Sequence, residues 1–254
     1  MSRQQTLMTS LPLELGTDRA TKLVSIILAT YNERENILEA IRSIARHVSR
    51  PFEIIVVDDD SPDGTWQLVA EQRWPEVKLI RRVATRGLAS AYMRGIIESQ
   101  GDVVGWMDAD LSMPPSLLPR MIERLRDYDV VIGSRYAAGA ADERHWLRRY
   151  TSLLINRLAR FVLGYDIRDY DSGFVVARRS VFDRVSFTPT GHGEYFIEFI
   201  YGCCRKGLRV CELPYTFRDR AQGVSKSVSS LWTFLRLGMG YVLRIVWIRF
   251  RRAD

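Results

Sequence analysis

The sequence predicts an α/β protein with a mostly parallel central sheet flanked by helices. Three observations carry that expectation. Continuous apolar runs, suited to a sheet buried on both faces, begin near Lys22, Glu53, Val103 and Asp129. Segments with helical spacing of apolar residues separate them, so strand-like and helix-like stretches alternate. Each run also breaks into polar residues at its carboxyl end, the edge at which open α/β sheets bind ligands. A chain of 254 residues can bury a full core as one large domain, or one domain with a small annex.

Taken in order, KLVSIILAT (Lys22 to Thr30) fits the centre of a sheet and ends in TYNERENILEAIRSI. Asn32 is placed there to cap a helix carrying Ile37, Leu38, Ile41 and Ile44 on one face. In FEIIVVDDDSPDGT the run Ile54 to Val57 breaks into Asp58, Asp59 and Asp60. Such crowding of like charge is unfavourable unless something binds it, although Ser61-Pro62-Asp63-Gly64 also has turn chemistry. A short strand, VKLI, precedes a helix opened by Gly87 and closed by Gly101. VVGWMDAD is the next strand, and Pro114 and Pro115 then start a helix reaching about Arg126. DVVIGSRY is a further buried strand ending at Arg135.

Thr30, Asp59, Asp108, Asp110 and Arg135 are thereby expected on one rim. A solvated turn whose Asp caps the next helix would explain Asp108 and Asp110 alone. Convergence of the other polar residues favours a ligand site, in which two hard oxygen donors suit Mg²⁺ or Mn²⁺.

Composition narrows the partners. The formal charge is +7, but residues 228–254 hold five Arg against one Asp, so the excess sits mainly in an apolar tail. That argues against a general nucleic-acid surface. Cys203, Cys204 and Cys211 are odd in number and lack metal-ligand spacing, as expected of reduced thiols in a cytosolic protein. No G-x-G-x-x-G follows a strand and no G-x-x-x-x-G-K-[ST] occurs, so phosphates are expected to be held by a metal and by Arg or Lys and not by a glycine cradle. Acidic residues with a nucleotide pocket of that kind point to a sugar-nucleotide enzyme.

The ordered set TYNERENI, VVDDDSPDGT, RGLASAY, MDADLSMPP and GSRY resembles the inverting family-2 glycosyltransferases of the GT-A fold. DYDSGFVVARR and FRDRAQGVSK extend the resemblance to their dolichol-phosphate and polyprenyl-phosphate mannosyltransferase branch, over roughly Leu23 to Lys226. The resemblance implies a nucleotide-sugar site at Thr30, Tyr31, Glu33, Asp59, Asp60 and Asp108. It implies a metal on Asp108 and Asp110, with Ser112 and Met113 departing from the family's usual Gln and His. Arg135, Arg148, Ser152, Arg220 and Lys226 correspond to its acceptor-phosphate group; Arg148, Ser152 and Asn156 fall on one helical face. Asp110, Arg135 and Arg220 are its candidate catalytic residues, while Asp169 is given only a local structural role.

The implied reaction moves mannose from GDP-mannose to a dolichyl- or undecaprenyl-type polyprenyl phosphate with inversion. A phosphate monoester is largely dianionic at neutral pH and needs no general base. Glu194 and Glu198 are the residues to test if the acceptor is instead a saccharide hydroxyl. The alternatives are a glucosyl-phosphate-lipid synthase using UDP-glucose, and a non-catalytic sugar-nucleotide sensor.

Three segments are expected: a loosely ordered extension over 1–21 without a signal peptide, a catalytic domain over 22–226, and a membrane-interfacial segment over 227–254. The last is rich in Leu, Trp, Phe and Val but is interrupted by Arg236, Arg244, Arg249, Arg251 and Arg252. It reads as one or two amphipathic helices with their apolar face in the lipid and Arg toward anionic headgroups. Packing on the domain is the other reading. The enzyme is then peripheral on the cytoplasmic face of a membrane, and Gly238 and Gly240 mark a candidate contact with a separate membrane protein.

Overall fold

The computed structural model describes residues 22–49, 51–191, 193–218 and 231–251, and for 231–237 the backbone alone. The extension over 1–21, Arg220 and Lys226 lie outside the described residues. Strand β1 (Val24–Thr30) pairs in parallel with β2 (Phe52–Asp58) on one side and β4 (Val103–Asp108) on the other. β2 carries β3 (Val77–Arg81) at its far edge, again in parallel. Beyond β4 the sheet continues through antiparallel β7 (Val175–Arg178) to β5 (Val130–Ser134) and β8 (Val210–Pro214). Two reversals of direction cancel, so β1, β2, β4 and β5 all end on the same edge. A two-residue parallel pair, β6 (Ala141–Asp142) with β9 (Thr216–Phe217), lies outside this sheet.

Alternate residues of the strands feed two buried layers, as a sheet covered on both faces requires. Ile26, Leu28, Ile54 and Val56 face α1 (Ile37–His47), α2 (Thr65–Gln72) and α4 (Leu118–Arg124). Ile27, Ile55, Val104 and Trp106 share the other layer with α3 (Leu88–Glu98), α5 (Trp146–Leu163), α6 (Glu194–Arg205) and α7 (Leu231–Phe250). Trp106 is fully buried and packs edge-on against Phe187 and Phe196. Truncation of such a residue typically costs about 3–5 kcal/mol.

Local chemistry differs from the sequence reading at three places. The first helix is preceded by Asn36, not Asn32: Asn32 adopts the left-handed region (φ 55°) and gives its backbone N–H to Ser61 Oγ at 2.9 Å. Asn tolerates that conformation, and it turns the chain sharply off β1. α3 ends at Ser99, whereas Gly101 serves close approach, since a Cβ there would lie 2.6 Å from the Leu23 carbonyl oxygen. The helix expected from Pro114 is a 3₁₀ turn (Pro115–Leu117) followed by α4, because Pro119 cannot donate to the carbonyl of Pro115 and its ring clashes there.

α7 packs against α5 and α6 through Ile245 and Ile248, which are 0% and 3% exposed. Its cations do not all face outward as expected. Arg244 Nη1 bonds Glu198 at 3.0 Å, Arg251 Nη1 reaches the same carboxylate at 3.3 Å, and Arg249 Nε bonds the Val162 carbonyl at 3.1 Å. No helix among the described residues is long and apolar enough to cross a membrane.

Candidate active site

The carboxyl edge of the sheet begins with Thr30, buried at the end of β1, whose hydroxyl donates to Asp58 Oδ2 at 2.7 Å across the strand pair. Asp58 also accepts the Ser61 backbone N–H at 2.8 Å and its hydroxyl at 2.6 Å. The crowded aspartates are thus resolved one by one. Asp59 forms a buried ion pair with Arg82, whose Nε lies 2.6 Å from Oδ1, and its Oδ2 accepts the Gly87 N–H at 2.8 Å. Asp60 accepts Arg81 Nε at 2.7 Å, and that guanidinium lies 3.9 Å from the Trp66 ring centre. Arg81 and Arg82 sit at the end of the adjacent strand, so the sequence did contain the counter-charges in IRRV.

Tyr31 stacks beneath Arg86, with the guanidinium 4.8 Å from its ring centre and Nη1 3.2 Å from its hydroxyl. Glu33 gives its backbone N–H to Thr65 Oγ1 at 2.9 Å, and its Oε2 accepts Asn36 Nδ2 at 3.1 Å. These bonds lock the β1 and β2 loops together.

At the end of β4, Asp108 accepts the Tyr92 hydroxyl at 3.3 Å, and its backbone N–H points to Met113 Sδ at 3.5 Å. Burial first, then the Asp108 charge, raises the Tyr92 phenol well above its ordinary range, so it stays a proton donor there. Asp110 is 4% exposed, and its Oδ1 accepts the Ser112 N–H at 3.1 Å across a turn in which Leu111 is left-handed (φ 63°). Among the described residues no three His, Cys, Asp or Glu gather into a metal-binding group. Two carboxylates without imidazole or thiol still fit a hard cation that takes its remaining oxygens from water and a diphosphate. The buried Ser112 Oγ, unpartnered among the described residues, is one further oxygen in this turn.

Arg135, just past β5, is placed differently from an open rim cation. It is 4% exposed and grips Asp169 twice, Nε to Oδ2 at 2.9 Å and Nη2 to Oδ1 at 2.7 Å. Its own N–H donates to Asp169 Oδ2 at 2.8 Å, and Nη2 bonds the Asp171 carbonyl at 2.6 Å. Burial opposes its charge, but Asp169 and then Asp171 outweigh that and hold its pKa well above the ordinary value. Asp169, credited above with local structure alone, is therefore the anchor of this corner. Arg148 opens α5 half-buried, with Ser152 and Asn156 buried further along the helix. Asn156 Oδ1 accepts the Tyr170 N–H at 2.6 Å, tying α5 to the segment that carries Asp169. Arg144 was not singled out from sequence; it pairs with Asp142 at 2.6 Å and lies 4.9 Å from the Phe217 ring centre.

A mostly parallel α/β sheet with acidic side chains gathered at its carboxyl edge is a GT-A-like architecture. Glucosyl-3-phosphoglycerate synthase from Mycobacterium tuberculosis, solved with Mn²⁺, UDP and glucosyl-3-phosphoglycerate, superposes with a TM-score of 0.69 at 19% identity, over 92% of this chain and 82% of that one. This likeness concerns the fold. Residues 25–186 match glycosyl transferase family 2, and the chain belongs to that family. It is 42% identical over 212 residues to a dolichol-phosphate mannosyltransferase of Pyrococcus furiosus, spanning 80% of this chain but 58% of the relative's length. A polyprenol monophosphomannose synthase of Mycolicibacterium smegmatis is 34% identical, over 85% of this chain and 84% of the relative.

Proposed function

We propose that this family 2 glycosyltransferase transfers mannose from GDP-mannose to a polyprenyl phosphate, inverting the anomeric centre. The observation that carries the reading is one sheet edge that gathers Asp108 and Asp110 after β4, the polar loops after β1 and β2, and Arg135 after β5. The names of the relatives support both mannose and a polyprenyl acceptor.

Thr30, Tyr31, Glu33, Asp59 and Asp60 frame the nucleotide. Asp59 acts largely by holding the α3 loop through Arg82 and Gly87, since both its oxygens are engaged there. Asp108 and Asp110 would hold Mg²⁺ or Mn²⁺, which, when bound, neutralises the negative charge gathering on the leaving diphosphate. Arg148 and Ser152, with Arg220 and Lys226, receive the acceptor phosphate. Arginine forks match its oxygens and lysine adds a point charge. Arg135, already gripping Asp169, fixes the loop beside that phosphate. The acceptor dianion is itself the nucleophile, so the protein's task is to align it and suppress repulsion. Glu198, considered for a hydroxyl acceptor, is occupied by Arg244, Arg251 and Thr188.

A polyprenyl acceptor requires access to a bilayer. α5 exposes Trp146, Tyr150, Leu154 and Phe161, and the adjoining α7 exposes Leu243, Trp247 and Phe250. This joint apolar face is the proposed lipid contact, and the enzyme is peripheral on the cytoplasmic side. Purified enzyme with Mg²⁺ or Mn²⁺, labelled GDP-mannose and a short polyprenyl phosphate should yield label in the organic phase, abolished by EDTA. Label from UDP-glucose alone would change the sugar, and nucleotide binding without any lipid product would overturn the reading.

A further inference from the structure

One contact ties the lipid-facing helix to the acceptor corner, and the functional reading above does not use it. The Tyr241 hydroxyl of α7 donates to Asp171 Oδ1 at 3.1 Å, joining residues 70 apart in sequence. Asp171 is in turn held by Arg135, through its carbonyl at 2.6 Å and through Oδ2 at 3.7 Å. Arg135 completes the series by donating two hydrogen bonds to Asp169, at 2.9 and 2.7 Å.

The fold makes room for this contact. Gly193, immediately before α6, has no side chain where Tyr241 passes. A Cβ there would fall 1.8 Å from the phenol oxygen and 2.8 Å from Asp171 Oδ1. Packing alone would be served by phenylalanine, whereas a hydroxyl brought this close to a mostly buried carboxylate fixes its orientation. Burial, followed by the charges of Asp171 and Glu194, raises the Tyr241 phenol, so it remains protonated and a donor. Among the described side chains of this helix and Arg251 just beyond it, Ile245, Ile248 and the bonds of Arg244, Arg249 and Arg251 also hold it to the domain, and all of these follow Tyr241 in sequence. Tyr241 is thus where docking of α7 meets the site.

We infer that Tyr241 is a positioning residue for acceptor binding: through Asp171 it sets Arg135 and the 169–173 loop, so that seating of the C-terminal helix and presentation of the acceptor phosphate are coupled. The inference rests on the proposed polyprenyl-phosphate acceptor. It assigns no chemistry to the phenol, which acts through Asp171.

Steady-state kinetics of the full chain with GDP-mannose and a short polyprenyl phosphate test it. Tyr241→Phe keeps the ring and should raise the acceptor KM about five- to tenfold while leaving the GDP-mannose KM within about twofold. Its melting temperature should stay close to wild type. Asp171→Asn should show the same selective effect, and the double variant should be no worse than the weaker single variant, because both remove one shared link. A purely structural tyrosine would lower thermal stability without separating the two KM values, and that result overturns the inference. Wild-type acceptor KM in Tyr241→Phe, or additive losses in the double variant, overturns it equally. Absence of lipid-linked product from the wild-type enzyme is a different failure. It removes the proposed function, and the inference falls with it.

Discussion

Each acidic residue at the sheet edge is distinguished by what already holds it. Asp110 lies in a tight buried turn in which its Oδ1 accepts the Ser112 N–H. Asp110→Ala should therefore fold, bind nucleotide poorly in the presence of metal, and lose about a hundredfold or more in turnover, on the order of 3 kcal/mol. A folded variant with near-normal rate at saturating metal would remove Asp110 from the metal site. Asp169 differs because its carboxylate neutralises a guanidinium with a side chain 3% exposed. Asp169→Asn removes the closest counter-charge of the buried Arg135 and leaves it the more distant Asp171 carboxylate, 3.7 Å away, at a cost of about 3 kcal/mol. Calorimetry should show a melting temperature lower by roughly 10 °C. Motif reading found Arg135 but not its commitment to Asp169, because a pattern of residue types does not say which cation faces water and which is paired 34 residues away. The reverse holds for Arg82, whose pairing with Asp59 was implicit in three adjacent carboxylates beside a strand ending in two arginines.

At the scale of elements, β1, β2, β4 and β5 were legible because their buried apolar runs are long and end abruptly in polar residues. β7 was not. Its four residues, Val175–Arg178, are too few for periodicity to speak, and nothing local shows that they insert between β4 and β5 in the opposite direction. Gly101 was noticed for the wrong reason: glycine beyond a helix suggests a terminator, yet here the backbone of β1 occupies the space a side chain would need. Gly101→Ala must displace the Leu23 carbonyl or the Ser25 hydroxyl, and such overpacking typically costs about 1–3 kcal/mol. Chemical denaturation should show a lower midpoint with an unchanged slope. An alanine variant as stable as wild type would show that the Leu23–Ser25 segment yields to the added methyl without cost.

Over the whole molecule, the tail joins two readings that sequence alone kept apart, a helix packed on the domain and a helix facing lipid. α7 buries Ile245 and Ile248 against the domain while exposing Leu243, Trp247 and Phe250, and α5 adds exposed Leu154 and Phe161, so packing on the domain leaves an apolar surface open to the proposed lipid contact. Because Arg244, Arg249 and Arg251 turn toward protein partners, the apolar surface should dominate vesicle association. A fully buried Leu-sized or Phe-sized side chain is worth roughly 1.5–3 kcal/mol. Leu154→Glu with Leu243→Glu should therefore weaken binding to liposomes at least about tenfold, even if each side chain is only half immersed. Both positions are exposed, so thermal stability and the KM for GDP-mannose should be retained, while turnover on vesicle-embedded acceptor falls and turnover on a short, detergent-dispersed acceptor persists. Sedimentation with vesicles of neutral and of mixed anionic lipid separates the forces at work. Loss on both kinds of vesicle identifies the α5–α7 face as the contact. Undiminished binding of the double variant would instead place the membrane contact on another surface, and would leave α5 and α7 as helices that only enclose the core.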